Sequence, residues 1–260
     1  MIKALFFDID GTLVSFKTHA IPSSTVSALE AAKKNGVAIY ISTGRPYSLI
    51  NNIGEIEHLI DGYICTNGAY CFIGDKVISC TPIPHEDVLT VLKEAEVLNF
   101  ASMVAGEHDI AMFNSNAEAR QIFSGILNIK DYGADTPIEK VLAQRILQMT
   151  PVISQEQEIS ILSKLHGVES SRWYPTFADF TARGVSKSKG LEEIASFQGY
   201  DIAETMAFGD GGNDMSIICR AGTGVAMGNA GEALKEAADF VTDTVDRDGV
   251  AKALKHFGVI

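Results

Sequence analysis

The stretch ALFFDIDGTLVS, residues 4–15, runs four apolar side chains, Ala4–Phe7, straight into two aspartates, Asp8 and Asp10. A continuous apolar run of this kind marks a strand of a parallel sheet covered on both faces, rather than one with a solvated side. Ligands of such sheets sit beyond the carboxyl ends of the strands, which is where the two acids stand. Alternate residues of an extended chain face the same way, so Asp8 and Asp10 can converge on one point. Gly11 then allows a sharp turn that brings backbone N–H groups towards a ligand.

Working outward, 22–36 (PSSTVSALEAAKKNG) predicts a helix with Ser23 or Ser24 as N-cap and Gly36 as its stop. The run 37–42 (VAIYIS) predicts a second buried strand, 47–60 (YSLINNIGEIEHLI) a second helix and 62–66 (GYICT) a third strand. This βαβαβ order predicts an open, right-handedly wound parallel sheet. Residues 69–80 then predict a hairpin with Gly74-Asp75 in its turn.

The rhythm changes at 81–84 (TPIP). A helix at 85–99, a strand pair at 101–106 and 109–114, a helix at 117–127, a strand at 145–154, a helix at 156–165 and a strand at 168–175 compose a separate α/β lobe of a common domain size. From 186–197 (SKSKGLEEIASF) the first rhythm returns. The expected fold is therefore α/β, with a doubly wound, mostly parallel, Rossmann-like core at 1–82 and 183–260. An α/β domain is inserted at 83–182.

Composition narrows the function classes. Over 260 residues, 46% are hydrophobic and 21% charged, as in ordinary folded proteins. A net charge of -12 argues against nucleic acid or an anionic membrane as a main partner. The N-terminus lacks the shape of a signal peptide, and no apolar run reaches the length of a membrane helix, so a cytoplasmic location is expected. Cys65, Cys71, Cys80 and Cys219 form no CxxC pair and read as reduced thiols. No obligate protein partner is expected; a small anionic molecule is, provided that local positive groups receive it.

Four strand ends supply the chemistry. Asp8 and Asp10 follow the first strand, Ser42-Thr43-Gly44-Arg45 the second, Lys187 and Lys189 open the helix that restarts the core, and Asp210, Asn213 and Asp214 lie in GDGGND. Carboxylates meeting at one rim need a hard cation, and oxygen-only donors favour Mg²⁺. Thr43, Gly44, Lys187 and Asn213 are the donors that a phosphoryl group requires. An ionised aspartate at position 8 can attack phosphorus without a base, and Asp10 is placed to protonate the leaving oxygen and then deprotonate water.

In order and spacing, DIDGTL, STGR, GVSKSKG and GDGGND resemble the four motifs of the haloacid dehalogenase superfamily of phosphatases. The position of the insertion, TNGAY at 66–70 and GVAMGNA at 224–230 resemble its Cof-type subfamily with a large α/β cap, close to bacterial sugar-phosphate phosphatases. The resemblance implies Asp8 as nucleophile, Asp10 as acid/base and Mg²⁺ held by Asp8, Asp10 and Asp210, Asp10 through its backbone carbonyl. It implies phosphate binding by Ile9, Thr43, Gly44, Lys187 and Asn213. Asp214 is expected to orient a metal-bound water or Lys187.

Candidate substrate contacts are Arg45, Asn67, Glu107 and His108, against plainer readings as salt bridges, turns or a solvated hairpin tip. Trp173-Tyr174 reads as packing. The expected activity is Mg²⁺-dependent hydrolysis of small phosphate monoesters, with hexose phosphates favoured. The cap is expected to close over the core. Nucleotide or pyridoxal phosphates, or a phosphomutase of related fold, are the alternatives. A phospho-accepting signalling module fits poorly, since such modules lack an inserted domain and Asp10 would hydrolyse the signal.

Overall fold

The computed structural model describes residues 1–126, 129 and 131–260, apart from the side chains of Ile126 and Trp173. Two compact units emerge: residues 1–44, 51–80 and 186–260, and residues 45–50 with 81–185.

The first unit grows from β1, Ala4–Phe7, in which every residue is buried. Such a strand must be central, and it is. β2 (Ala38–Ser42) pairs with it on one side and β11 (Thr205–Gly209) on the other, both parallel. Beyond β2 lie β3 (Gly62–Cys65), β4 (Tyr70–Ile73) and β5 (Lys76–Cys80). Beyond β11 lie β12 (Thr223–Ala226) and β13 (Phe240–Val241). Among the described residues the order is β13-β12-β11-β1-β2-β3-β4-β5, with the β3–β4 and β4–β5 pairs antiparallel and the other pairs parallel. The chain leaves β1 towards β2 and returns on its other flank at β11. The carboxyl ends of β1 and β11 therefore frame a topological switch point, where such sheets open a crevice for ligands. Phe6 stacks on Tyr40 with ring centroids 4.9 Å apart, and Phe7 on Phe208 at 4.6 Å. Full burial stabilises each such side chain by about 1.5–3 kcal/mol, which anchors the strand ends carrying the acids.

The second unit holds an antiparallel sheet: β6 (Ser102–Ala105), β7 (Ile110–Phe113), β8 (Gln148–Pro151), β9 (Val168–Tyr174) and β10 (Phe177–Ala182), in the order β7-β6-β8-β10-β9. Its core joins Val88, Val91 and Leu92 of the helix His85–Leu98 and Ile161 of the helix Gln155–Leu162 to Val104, Met149 and Phe180 of the sheet.

Two local expectations fail, and one strand was not foreseen. Residues 47–60 form no helix, only single 3₁₀ turns at Tyr47–Leu49 and Glu57–Leu59. Asn51, Asn52 and Gly54 all disfavour a helix interior, and the apolar spacing alone did not compensate. The helix Ser23–Lys34 is preceded by Pro22, with no side-chain cap; Ser24 instead donates to Asp248 Oδ1 at 2.5 Å. β10 was missed because aspartate is depleted in strands. Asp179 is tolerated there because Gln148 Nε2 and Thr150 Oγ1 both donate to its Oδ1, at 2.8 and 2.7 Å. The end of the helix expected at 117–127 lies outside the described residues.

Candidate active site

Lys187 opens the helix Lys187–Gln198, whose N-cap Ser186 accepts the Lys189 N–H at 3.2 Å. Of the two lysines, Lys189 is exposed and Lys187 is 1% exposed. Its ammonium donates to Asp8 Oδ1 at 2.7 Å and to Asp214 Oδ1 at 2.5 Å. Burial alone would lower the Lys187 pKa, but the two carboxylates raise it, so the side chain stays charged. A buried ammonium is tolerated only when paired this closely.

Asp214 is fully engaged. Its Oδ2 accepts the N–H groups of Asp210 and Gly211 at 3.0 and 2.9 Å. Asp210 accepts from Thr12 Oγ1 on one oxygen and from Asn229 Nδ2 on the other, both at 3.1 Å. Asp8, Asp210 and Asp214 each offer a carboxylate oxygen within 4.8 Å of the others. One ammonium against three converging carboxylates leaves negative charge in a mostly dry place. Burial pushes the Asp8 carboxyl well above the usual range, against the pull of Lys187, and Asp214 and Asp210 add to the rise. Burial and then the charge of Asp214 push Asp210 up to about 6. Such a cluster fits a hard divalent cation, since all its donors are oxygens and the excess charge is what a cation relieves.

Asp10 sits on the turn after β1, bridged to Val14, with Asn52 Nδ2 at 3.4 Å from its Oδ1. Gly11 has φ +90°, and a Cβ there would lie 2.1 Å from Asp210 Oδ2. Only glycine allows both the turn and the close approach. The Ile9 side chain is fully buried, so Ile9 can serve the site only through its backbone.

At the end of β2, Thr43 is buried and its N–H donates to Ile64 O at 2.8 Å. Gly44 lies under the amides of Asn67 and Asn213, and Asn213 Nδ2 donates to Asn67 Oδ1 at 3.1 Å. Thus Asp8, Lys187, Asp210, Asp214, Thr43, Gly44, Asn67 and Asn213 all belong to the first unit, at the carboxyl ends of its strands.

The other candidates belong to the second unit. Arg45 donates to Leu49 O at 3.1 Å. Glu107 is gripped by Arg145 through two hydrogen bonds, which hold its carboxyl below the usual range. The His108 N–H donates to Gln144 Oε1 at 3.0 Å. Tyr174 stacks on Phe177 at 5.3 Å, while the Trp173 side chain lies outside the described residues.

Sequence reasoning missed Asn229. It donates to Gly11 O at 2.9 Å as well as to Asp210, and its Oδ1 accepts the Val245 N–H at 3.1 Å. The available signal was its place in GVAMGNA at 224–230, a stretch noted above for its resemblance but given no role. Asn52 and Thr12 were given no role either, although Thr12 lies within DIDGTL; Asn52 lies in no quoted motif.

A family model described as haloacid dehalogenase-like hydrolase matches residues 5–254. The solved structure of BT4131, described as a subclass IIB sugar phosphatase of that superfamily, is 48% identical. It covers 99% of this chain and all of its own, with a TM-score of 0.89. YkrA of Bacillus subtilis is 32% identical over 264 residues, 99% of this chain and 98% of YkrA. The pyridoxal phosphate phosphatase YbhA of Escherichia coli is 28% identical over 96% of both chains.

Proposed function

The chain belongs to the haloacid dehalogenase-like hydrolases and is a phosphoric monoester hydrolase, and on that footing we propose that it hydrolyses small sugar phosphates with Mg²⁺ through an aspartyl-phosphate on Asp8. The observation that carries the reading is Lys187, buried and bound to both Asp8 and Asp214 in a cluster that also contains Asp210. The sugar preference is supported by 48% identity to a sugar phosphatase, against 28% to a pyridoxal phosphate phosphatase.

In this reading Asp8, Asp210 and the Asp10 carbonyl hold Mg²⁺, which when bound shields the attacking carboxylate from the phosphoryl charge. Lys187 fixes Asp8 by one oxygen and opposes the burial that raises its carboxyl; the cation would supply the remaining positive charge that leaves Asp8 ionised for attack. Thr43, the Gly44 N–H, Lys187 and Asn213 donate to the phosphoryl oxygens. An Asp8 carboxylate oxygen bonds to phosphorus as the ester P–O bond breaks, and the Asp10 carboxyl proton passes to the leaving oxygen. Asp10 then takes a proton from water, whose oxygen bonds to phosphorus as the bond to Asp8 breaks. Asp214 is bound on both oxygens and orients Lys187.

The test is phosphate release from a panel of hexose, pentose, nucleoside and pyridoxal phosphates, with Mg²⁺ or EDTA, for the parent and Asp8→Asn. Release that needs both Mg²⁺ and Asp8, fastest on hexose phosphates, is expected. Turnover by Asp8→Asn at the parent's rate would sink the mechanism, and a pyridoxal or nucleoside phosphate leading the panel would sink the substrate class.

A further inference from the structure

The turn Thr66–Gly68 that follows β3 passes through three consecutive positive φ values: +49° at Thr66, +53° at Asn67 and +99° at Gly68. Glycine adopts this region freely and asparagine often, but for a β-branched residue it is a steric outlier. Thr66 carries a second cost. It is fully buried, and its hydroxyl has no hydrogen-bond partner among the described residues. Two local costs at one residue persist only where the surroundings impose the conformation, and they cluster at working sites.

The surroundings are three of the four polar strand ends. The Asn67 N–H donates to Thr43 O at 3.1 Å. Its side chain accepts from Asn213 Nδ2, and its amide oxygen and nitrogen lie 3.2 and 3.3 Å from where a Gly44 Cβ would stand. Gly68 is pressed against the residue that caps the Lys187 helix: a Cβ there would sit 2.1 Å from Ser186 O. Moving Asn67 out of its left-handed conformation would therefore disturb contacts with STGR, with the lysine motif and with GDGGND.

We propose that Asn67 is a positioning residue that fixes the orientation of the Asn213 amide, and that the strained Thr66–Gly68 turn exists to hold it there. An asparagine amide can present either its NH₂ donors or its carbonyl acceptor. With Asn67 Oδ1 as the acceptor beside it, Asn213 presents its NH₂ to the side of Gly44, 3.3 Å from where a Gly44 Cβ would stand. One N–H is spent on Asn67 and the other remains for a phosphoryl oxygen. Without Asn67 the Asn213 carbonyl is free to rotate towards the same place, where it would repel a phosphate. This rests on the reading that Thr43, Gly44, Lys187 and Asn213 receive the phosphoryl group.

The test uses the full chain and inorganic phosphate as the inhibitor of ester hydrolysis. Asn67→Gly deletes the amide while suiting φ +53°, so the turn is kept and the melting temperature stays within a few degrees of the parent's. We expect the phosphate inhibition constant to rise about tenfold, the worth of one hydrogen bond of about 1.4 kcal/mol, with KM rising more than kcat falls. Asn213→Ala should weaken phosphate at least as much, and the double variant should be no weaker than Asn213→Ala alone, since contacts acting through one another are not additive. An unchanged inhibition constant in Asn67→Gly, or strictly additive losses in the double variant, would overturn the inference. A parent that phosphate does not inhibit would instead overturn the phosphate-site reading, and this inference with it.

Discussion

Asp210 shows how one residue's surroundings set its chemistry. Burial and the neighbouring Asp214 charge raise it to about 6, from an ordinary 3.8. An acid whose pKa is higher folded than unfolded binds its proton more tightly in the folded state. Its contribution to stability is full below 3.8 and is lost as pH rises through about 6. The protein stripped of metal should therefore become less stable between about pH 4 and 6, and urea unfolding at a series of pH values should show that slope flattened in Asp210→Asn. A slope equal in parent and variant would mean that Asp210 is not the group responsible. At this scale much was legible. Asp8, Asp10, Asp210 and Lys187 are residue types at strand and helix ends that the sequence offers as candidates, and the resemblance to the family chose among them. A contact of Asp214 with Lys187 was one of the two roles expected of Asp214; that Lys187 also grips Asp8, 179 residues away, was not legible.

At the level of elements, the site is made by where strands stop. β1 ends in Asp8, β2 leads into Thr43 and β11 into Asp210, and each strand is held by buried neighbours rather than by the site itself. The turn after β1 has the least room. Gly11→Ala places a methyl group against the Asp210 carboxylate and asks alanine to adopt φ +90°. We expect a stability loss of about 1–3 kcal/mol from the backbone alone. A fall of about a hundredfold in kcat/KM should follow as Asp210 is displaced, equivalent to about 2.7 kcal/mol. Steady-state kinetics with saturating Mg²⁺ would test this, and activity near the parent's would show that the turn relaxes without moving Asp210. Strands were the most legible elements, since β1, β2, β3 and β11 are short apolar runs bounded by turn residues. The segment 47–60 was not: its apolar spacing suits a helix, while Asn51, Asn52 and Gly54 and its packing decide for separate turns.

For the molecule as a whole, charge is the organising quantity. A chain of net charge -12 gathers three of its acids around one lysine, so a divalent cation should act as a structural ligand as well as a catalytic one. Binding to the folded state alone adds about 2.7 kcal/mol at a hundred times the dissociation constant. The melting temperature should therefore rise with Mg²⁺ and return with EDTA in the parent, and rise much less in Asp210→Asn. A melting temperature indifferent to Mg²⁺ in the parent would remove the cation from the site. Sequence alone determined the mixed α/β class, because burial and side-chain periodicity are local properties that each segment carries with it. Only the tertiary structure decided that Asn229 braces Asp210, that Asn67 meets Asn213 over Gly44, and that Glu107 is bound to Arg145. Those contacts form between loops far apart in the chain, and no pattern within either loop encodes where the other will lie once the sheet has brought them together.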